Sequence, residues 1–262
     1  MLVSLLQFLA PDSIPKLADH WPTIVASTVF WYALHIAAEP FSRRMFPKAF
    51  NRLSPRHQEQ WCIRTVSFFH ACVATALSIP LINHPVLADD PLHGYWWPAG
   101  QVFAISLGYF IYDVSHCAYN VKQEGFGFLL HGAVAVIASL LSYKPLYNLY
   151  APTVLVTEIS TPFLNIHWFL DKMNMTGSTL QLANGAMLLI TFFGARILFS
   201  YYWSAKLYIF AYQLSDQVDM LTRVLPALLL LTLNALNFFW FFKIVNAIVK
   251  RFKPPTHPTK SQ

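Results

Sequence analysis

Glu158, Thr161 and Asn165 stand at i, i+3 and i+7 in the stretch LVTEISTPFLNIHW, Leu155 to Trp168, most of which is fit for lipid. That spacing puts three polar groups on one helical face. Pro162 in the same stretch removes a backbone donor and frees a carbonyl near Glu158, so the helix should loosen where a polar cavity can form. Ser160 lies between them and adds a hydroxyl. Upstream, Asp113 and His116 are three residues apart in Tyr112-Asp113-Val-Ser115-His116 and so share a helix face. A carboxylate so placed can orient an imidazole and fix its tautomer, the arrangement of a general base. His131, in Leu129-Leu130-His131-Gly132, can serve as base, nucleophile or hydrogen-bond donor, and Gly132 permits close approach of a helix or a ligand chain. Arg196 is the natural counter-ion for Glu158.

An ionisable group inside a bilayer costs at least ~2.5–3.5 kcal/mol on insertion scales, so such groups face the bundle interior or a wet cavity. Asp113, His131, Glu158 and Arg196 are therefore expected to point inward, as candidate cavity residues. His35 and His70 are further ionisable groups within apolar stretches. Glu39, His167 and Lys243 fall toward helix ends, where side chains reach the headgroups, and are read as structural.

The elements that must position these residues are membrane helices. Of the 262 residues 56% are apolar and only 11% charged, against roughly 25% charged in ordinary soluble domains. Seven stretches approach the ~20 apolar residues that a span needs: about 21–41, 64–83, 97–117, 127–143, 146–167, 182–203 and 224–249. The expected fold is an all-α integral membrane bundle of about seven transmembrane helices. Met1 to Ala10 reads as an interfacial segment that stops at Pro11, without the basic flank and cleavage pattern of a secretory signal. Leu207 to Gln213 reads as a short lipid-surface or re-entrant piece. Spans four and five, joined by little more than Ser142-Tyr143-Lys144-Pro145, should pack as antiparallel neighbours. Trp96, Trp97 and Trp203 suit an interfacial aromatic belt.

Lysines and arginines fall unevenly on the two sides of such a bundle. Twelve, including Arg43, Arg44, Lys48, Arg52, Arg56, Arg64, Lys122 and Lys172, lie on one face and four on the other. The positive-inside rule then makes the C-terminal tail cytosolic, and the sequon at Asn174 should stay unglycosylated. The net charge of +6 sits beside spans rather than on a polar domain, so no nucleic-acid partner is expected. Cys62, Cys72 and Cys117 lack metal-ligand spacing, and no phosphate-cradling glycine loop or serine elbow is present. Neither metal nor resident cofactor is expected.

The segment from His131 through Ser142-Tyr143, then Thr157-Glu158-Ile-Ser160-Thr161-Pro162-Phe163-Leu-Asn165-Ile-His-Trp168, resembles the TLC domain shared by ceramide synthases, translocating-chain-associated proteins and the CLN8 protein. Gly108-Tyr-Phe-Ile-Tyr112-Asp113 is similar to another of its markers. Glu-x-Ser-Thr-Pro-Phe is most similar to the small TLC-domain-containing proteins. The resemblance implies a helical bundle enclosing a lipid-sized cavity in the endoplasmic reticulum. It divides the chain into 1–54 (interfacial segment, first helix and basic connector), 55–250 (TLC domain) and 251–262 (disordered cytosolic tail). Ceramide synthases are acyl-CoA-dependent N-acyltransferases whose signature begins with paired histidines and ends in Asp-x-Ser-Asp. Here Gly132 replaces one histidine, Glu158 and Ser160 match the first Asp and the Ser, and Thr161 replaces the second Asp.

Two functional readings follow. In the first, the bundle holds a membrane lipid or fatty-acyl chain, with Glu158, Ser160, Thr161, Asn165, His116 and Arg196 as ligand-binding groups, and so influences membrane lipid composition. In the second, His131, oriented by Asp113 or Glu158, serves an acyltransferase with acyl-CoA as co-substrate, its phosphates drawn by Arg52 and Arg56. A proton-coupled transporter ranks last, since there is no inverted repeat. A homo-oligomer is compatible with either reading.

Overall fold

The computed structural model describes residues 13–214 and 217–252. The interfacial reading of Met1 to Ala10 and the disordered-tail reading beyond Phe252 fall outside those residues. Every regular element among the described residues is helical. We number the principal helices α1 (Leu17–Met45), α2 (Pro55–Ser78), α3 (Trp97–Tyr119), α4 (Phe126–Tyr143), α5 (Ala151–Val156), α6 (Thr161–Lys172), α7 (Thr179–Thr191), α8 (Ser200–Gln213) and α9 (Met220–Phe252).

Capping residues set several of the starts. Ser54 accepts from the His57 N–H just before Pro55, and Ser178 accepts from the Gln181 N–H at the head of α7. Each satisfies a donor that the first helical turn leaves without a partner. α9 follows directly on Asp219, whose two carboxylate oxygens take the N–H and hydroxyl of Thr222 at 3.0 and 2.6 Å.

Among the described residues five helical stretches are long and apolar enough to cross a membrane: Leu17–Met45, Pro55–Leu81, Phe126–Tyr143, Thr179–Gln213 and Met220–Lys250. α3, with 23 residues, is long enough but is not among these five. The expected fifth span is no single rod: α5 gives way to a 3₁₀ turn, Thr157–Ser160, before α6. Leu207 to Gln213 is not a separate surface piece. It is the end of a continuous 35-residue helical run, with Leu207 and Ala211 buried, because nothing between Thr179 and Gln213 breaks the helix.

α1 lies along α3, and α3 along α4. Small residues allow the close approach: a methyl built on Gly108 would lie 2.6 Å from Ser27 Cβ, and one on Gly132 3.2 Å from Val114 Cβ. Without a hydrophobic force between helices in lipid, such packing holds them together. α2 carries α5, the 3₁₀ turn and α6 along its length, while α7 packs on α6, and α8 and α9 on each other. α4 leans on α3 and α9, and of the broken fifth stretch only α5 packs on it to any extent. The expected antiparallel pairing of spans four and five is thus replaced. Lys144 to Tyr150 forms a folded connection in which Asn148 donates to the carbonyls of Gly94 and Ser142, and this carries the chain away from α4. Large apolar side chains such as Val29, Ile36, Ile190 and Phe238 face outward, as a lipid-facing surface requires. Trp97 is exposed, but Trp203 is buried against Tyr150 rather than in an aromatic belt.

Candidate functional site

Glu158 sits in the 3₁₀ turn just ahead of the helix restart at Thr161, with Pro162 in the first turn of α6. Proline suits that turn, where its N–H would have no intrahelical partner. Arg196 comes from Phe192–Phe199, a π-helical segment between α7 and α8. Such widened turns are frequent at functional sites. The guanidinium donates to Glu158 Oε1 at 3.0 Å, Thr161 Oγ1 at 2.9 Å, Ser160 Oγ at 2.9 Å and Asn237 Oδ1 at 3.2 Å. The Thr161 hydroxyl in turn donates to Glu158 Oε2 at 2.6 Å. Arg196 is buried and Glu158 largely so, with 8% and 13% of the side chains exposed. The pair is therefore a hydrogen-bonded network with most of its partners supplied, as two desolvated charges need.

Two cavities meet at this network. His131, Glu158, Arg196 and Phe110 line both. One, about 100 Å³, is walled largely by apolar groups such as Leu141, Leu146, Val154, Leu155, Leu229 and Leu233. The other, about 330 Å³, presents Gln60, Arg64, Asp113, Asn120, Asn165 and Lys243. Along α9 the apolar chamber reaches Pro226 and the polar one Lys243 and Ile244, so the two follow one another along the bundle axis.

The eight residues singled out from the sequence do not all do what their spacing suggests. Asp113 accepts from Tyr109 at 3.4 Å and lies 4.0 Å from the Cys117 thiol. It does not orient His116, which turns to Glu59 at 3.7 Å and stacks on His35 with ring centroids 4.8 Å apart. Equal face on a helix does not make two side chains meet, because each follows the neighbouring helix it finds. Nor is His131 bonded to either carboxylate: its Nδ1 is buried without a hydrogen-bond partner, and its ring stands edge-on to Trp240. Glu158 is committed to Arg196 instead. Asn165 links α6 to α2, accepting from Arg64 and donating to Ser67 Oγ, each at 3.2 Å. Gly132 admits a helix, with α3 directly against it.

Arg64 has a role that the sequence reading did not give it: it lies over the Trp168 ring at 4.9 Å and lines the polar chamber. Gln60, Arg64 and Ser67, spaced four and three apart, form a polar helix face that was the available signal. Lys243 likewise faces the polar chamber. Arg52 and Arg56 do not: their guanidinium groups donate to the backbone carbonyls of Lys172 and Gln123 at 2.6 and 3.4 Å. They tie connections together.

These features define a class: an integral membrane helical bundle with polar groups gathered around a Glu158–Arg196 pair. The TLC domain profile matches residues 60–246, and the chain belongs to the TLC domain family. It is 33% identical over 241 residues to a TLC domain-containing protein of Schizosaccharomyces pombe, covering 91% of this chain and 82% of that one. It is 28% identical to topoisomerase I damage affected protein 4 of Saccharomyces cerevisiae, covering 93% and 90%. With TLC domain-containing protein 4 of Homo sapiens it shares 26% identity, covering 87% and 88%. These relatives are TLC domain-containing proteins, not ceramide synthases.

Proposed function

We propose that this chain holds one amphiphilic membrane lipid, with an acyl tail in the apolar chamber and its head in the polar one, and thereby acts in membrane lipid homeostasis. The observation that carries the reading is the junction of the two chambers at His131, Glu158 and Arg196. Lipid tails are as apolar as leucine, so moving a chain from bilayer to protein gains little hydrophobic free energy. Selectivity must then come from the polar half, where Arg64 and Lys243 supply positive charge and Asn120 and Asn165 supply amide groups. The basic asymmetry of the connections supports seven crossings with the polar chamber and the C-terminus on the cytosolic side, and the family resemblance supports the endoplasmic reticulum.

The test is mass spectrometry of lipids co-purifying in mild detergent with the wild type and with Ala138→Phe, which fills the apolar chamber. One enriched lipid class that disappears in the variant is expected. An identical lipid complement in both proteins would sink the reading.

One observation favours acyl transfer as a second reading: the His131 ring lies at the chamber junction, where a bound chain would place its carbonyl. Against it, no carboxylate orients that ring. Incubation with acyl-CoA and sphingoid or ethanolamine-lipid acceptors, using His131→Ala as control, separates the two: product lost in the variant makes it an enzyme, whereas bound lipid without turnover favours the holder.

A further inference from the structure

Beside the polar chamber, and separate from the Glu158 network, three helices bring together His35 of α1, Glu59 of α2 and His116 of α3. His35 Nε2 lies 3.4 Å and His116 Nδ1 3.7 Å from the same oxygen, Glu59 Oε1. All three donor atoms lie within 4.8 Å of one another. We propose that they form a binding site for a divalent transition metal of the zinc class, which clamps α1 onto α2 and α3 at the rim of the polar chamber.

The distances are the first argument. In a tetrahedral zinc site with bonds of about 2.0–2.1 Å, neighbouring ligand atoms stand roughly 3.3 Å apart. Two of the three edges are already near that length, yet both exceed the range of a good N–H···O hydrogen bond. The third, between the two imidazoles, is within 4.8 Å.

The surroundings are the second. His35 Nδ1 is 2.8 Å from the hydroxyl of Tyr112, a fully buried residue. Metal-bound histidines almost always direct the second ring nitrogen to such a partner, which fixes tautomer and orientation. With Nδ1–H donating to Tyr112, the Nε2 lone pair faces a carboxylate oxygen, and a positive charge between them relieves the repulsion. A proton serves one imidazole at a time, whereas a divalent cation serves both rings and the carboxylate together. Two histidines and a carboxylate are a ligand set that zinc favours, with a fourth position left for water. Glu59 is 45% exposed while the two imidazoles are 14% and 18% exposed, so solvent reaches the carboxylate side.

The consequence concerns α1. His35 and Glu59 lie outside the matched residues 60–246, and His116 lies inside and also lines the polar chamber. A bound metal would thus fasten an element beyond the family domain to the wall of its cavity.

The test is metal uptake by the full chain in mild detergent after chelator treatment, using Co²⁺ for its visible spectrum and Zn²⁺ for thermal stability. One equivalent of Co²⁺ with a tetrahedral-type absorption band is expected, together with a Zn²⁺-dependent rise in melting temperature. His35→Ala should lose both, and Glu59→Gln, which keeps shape at a partly exposed position, should weaken uptake at least tenfold while remaining folded. Absence of stoichiometric uptake by the wild type, or undiminished uptake in a His35→Ala/His116→Ala double variant, would overturn the assignment.

Discussion

Arg196 shares four hydrogen bonds among Glu158, Ser160, Thr161 and Asn237, so the charge it carries is held by partners from two separate stretches of the chain. Removing one member of a buried ion pair leaves the other unmatched and typically costs about 3–5 kcal/mol, whereas replacing both by apolar groups is often close to neutral. Glu158→Gln should therefore destabilise the protein by about 3–5 kcal/mol, and Glu158→Leu/Arg196→Met should be less damaging than Glu158→Gln alone. Thermal unfolding in detergent checks both, and equal or greater loss in the double variant would rule out the pairing as the source. This pair was legible in the sequence because charges stand out in apolar stretches and must find each other. The partners of Asp113 and His116 were not, since a three-residue spacing fixes a shared face but not which neighbouring helix each side chain meets. The second role of Arg64 was hidden for a related reason: at the edge of a span a basic residue reads as a topology signal, and its place over Trp168 comes from tertiary packing.

At the scale of elements, the seam between α1 and α3 depends on Gly108, where an added methyl would also lie 2.8 Å from the backbone nitrogen of Thr28. Gly108→Ala gains about 0.8–1.0 kcal/mol of helix propensity but forces the two helices apart, and overpacking costs typically 1–3 kcal/mol. The net effect should be a lowered melting temperature; a raised one would mean the helices separate freely. The head of α9 gives a pH prediction. The hydrogen bonds from Thr222 hold the Asp219 carboxyl below its usual range, so its contribution is present above the unfolded value of about 3.9 and fades as pH falls through the folded value. Asp219→Ala should cost ~1 kcal/mol at neutral pH, as lost caps do, and the difference from wild type should shrink in acid-titrated unfolding. Helix existence was legible from apolar run length. What was not legible was continuity: Pro162 marks a restart after a 3₁₀ turn, while Thr179 to Gln213 runs on through a segment that looks like two pieces.

At the scale of the molecule, the basic asymmetry makes a topological prediction. A glycosylation sequon engineered into the connection around Ala88 to Asp90 should be modified in cells, and the native sequon at Asn174 should not; the reverse pattern would invert the bundle. Membrane insertion and family were both readable from the chain, because composition and a local motif carry them. The two-chamber interior was not, since it arises from helices far apart in sequence closing around His131 and Glu158. The widened turn at Phe192–Phe199 adds a constraint of phase. Such a turn takes up one extra residue, so deleting a single residue there would restore a regular α-helix and leave Ser200–Gln213 in its present phase, whereas the same deletion within Thr179–Thr191 would rotate it by roughly 100°. In that second case Trp203, Ser204 and Leu207, now turned inward, would swing toward the lipid, so the phase of this helix is fixed to the residue even though its sequence, being largely apolar, looks indifferent to it.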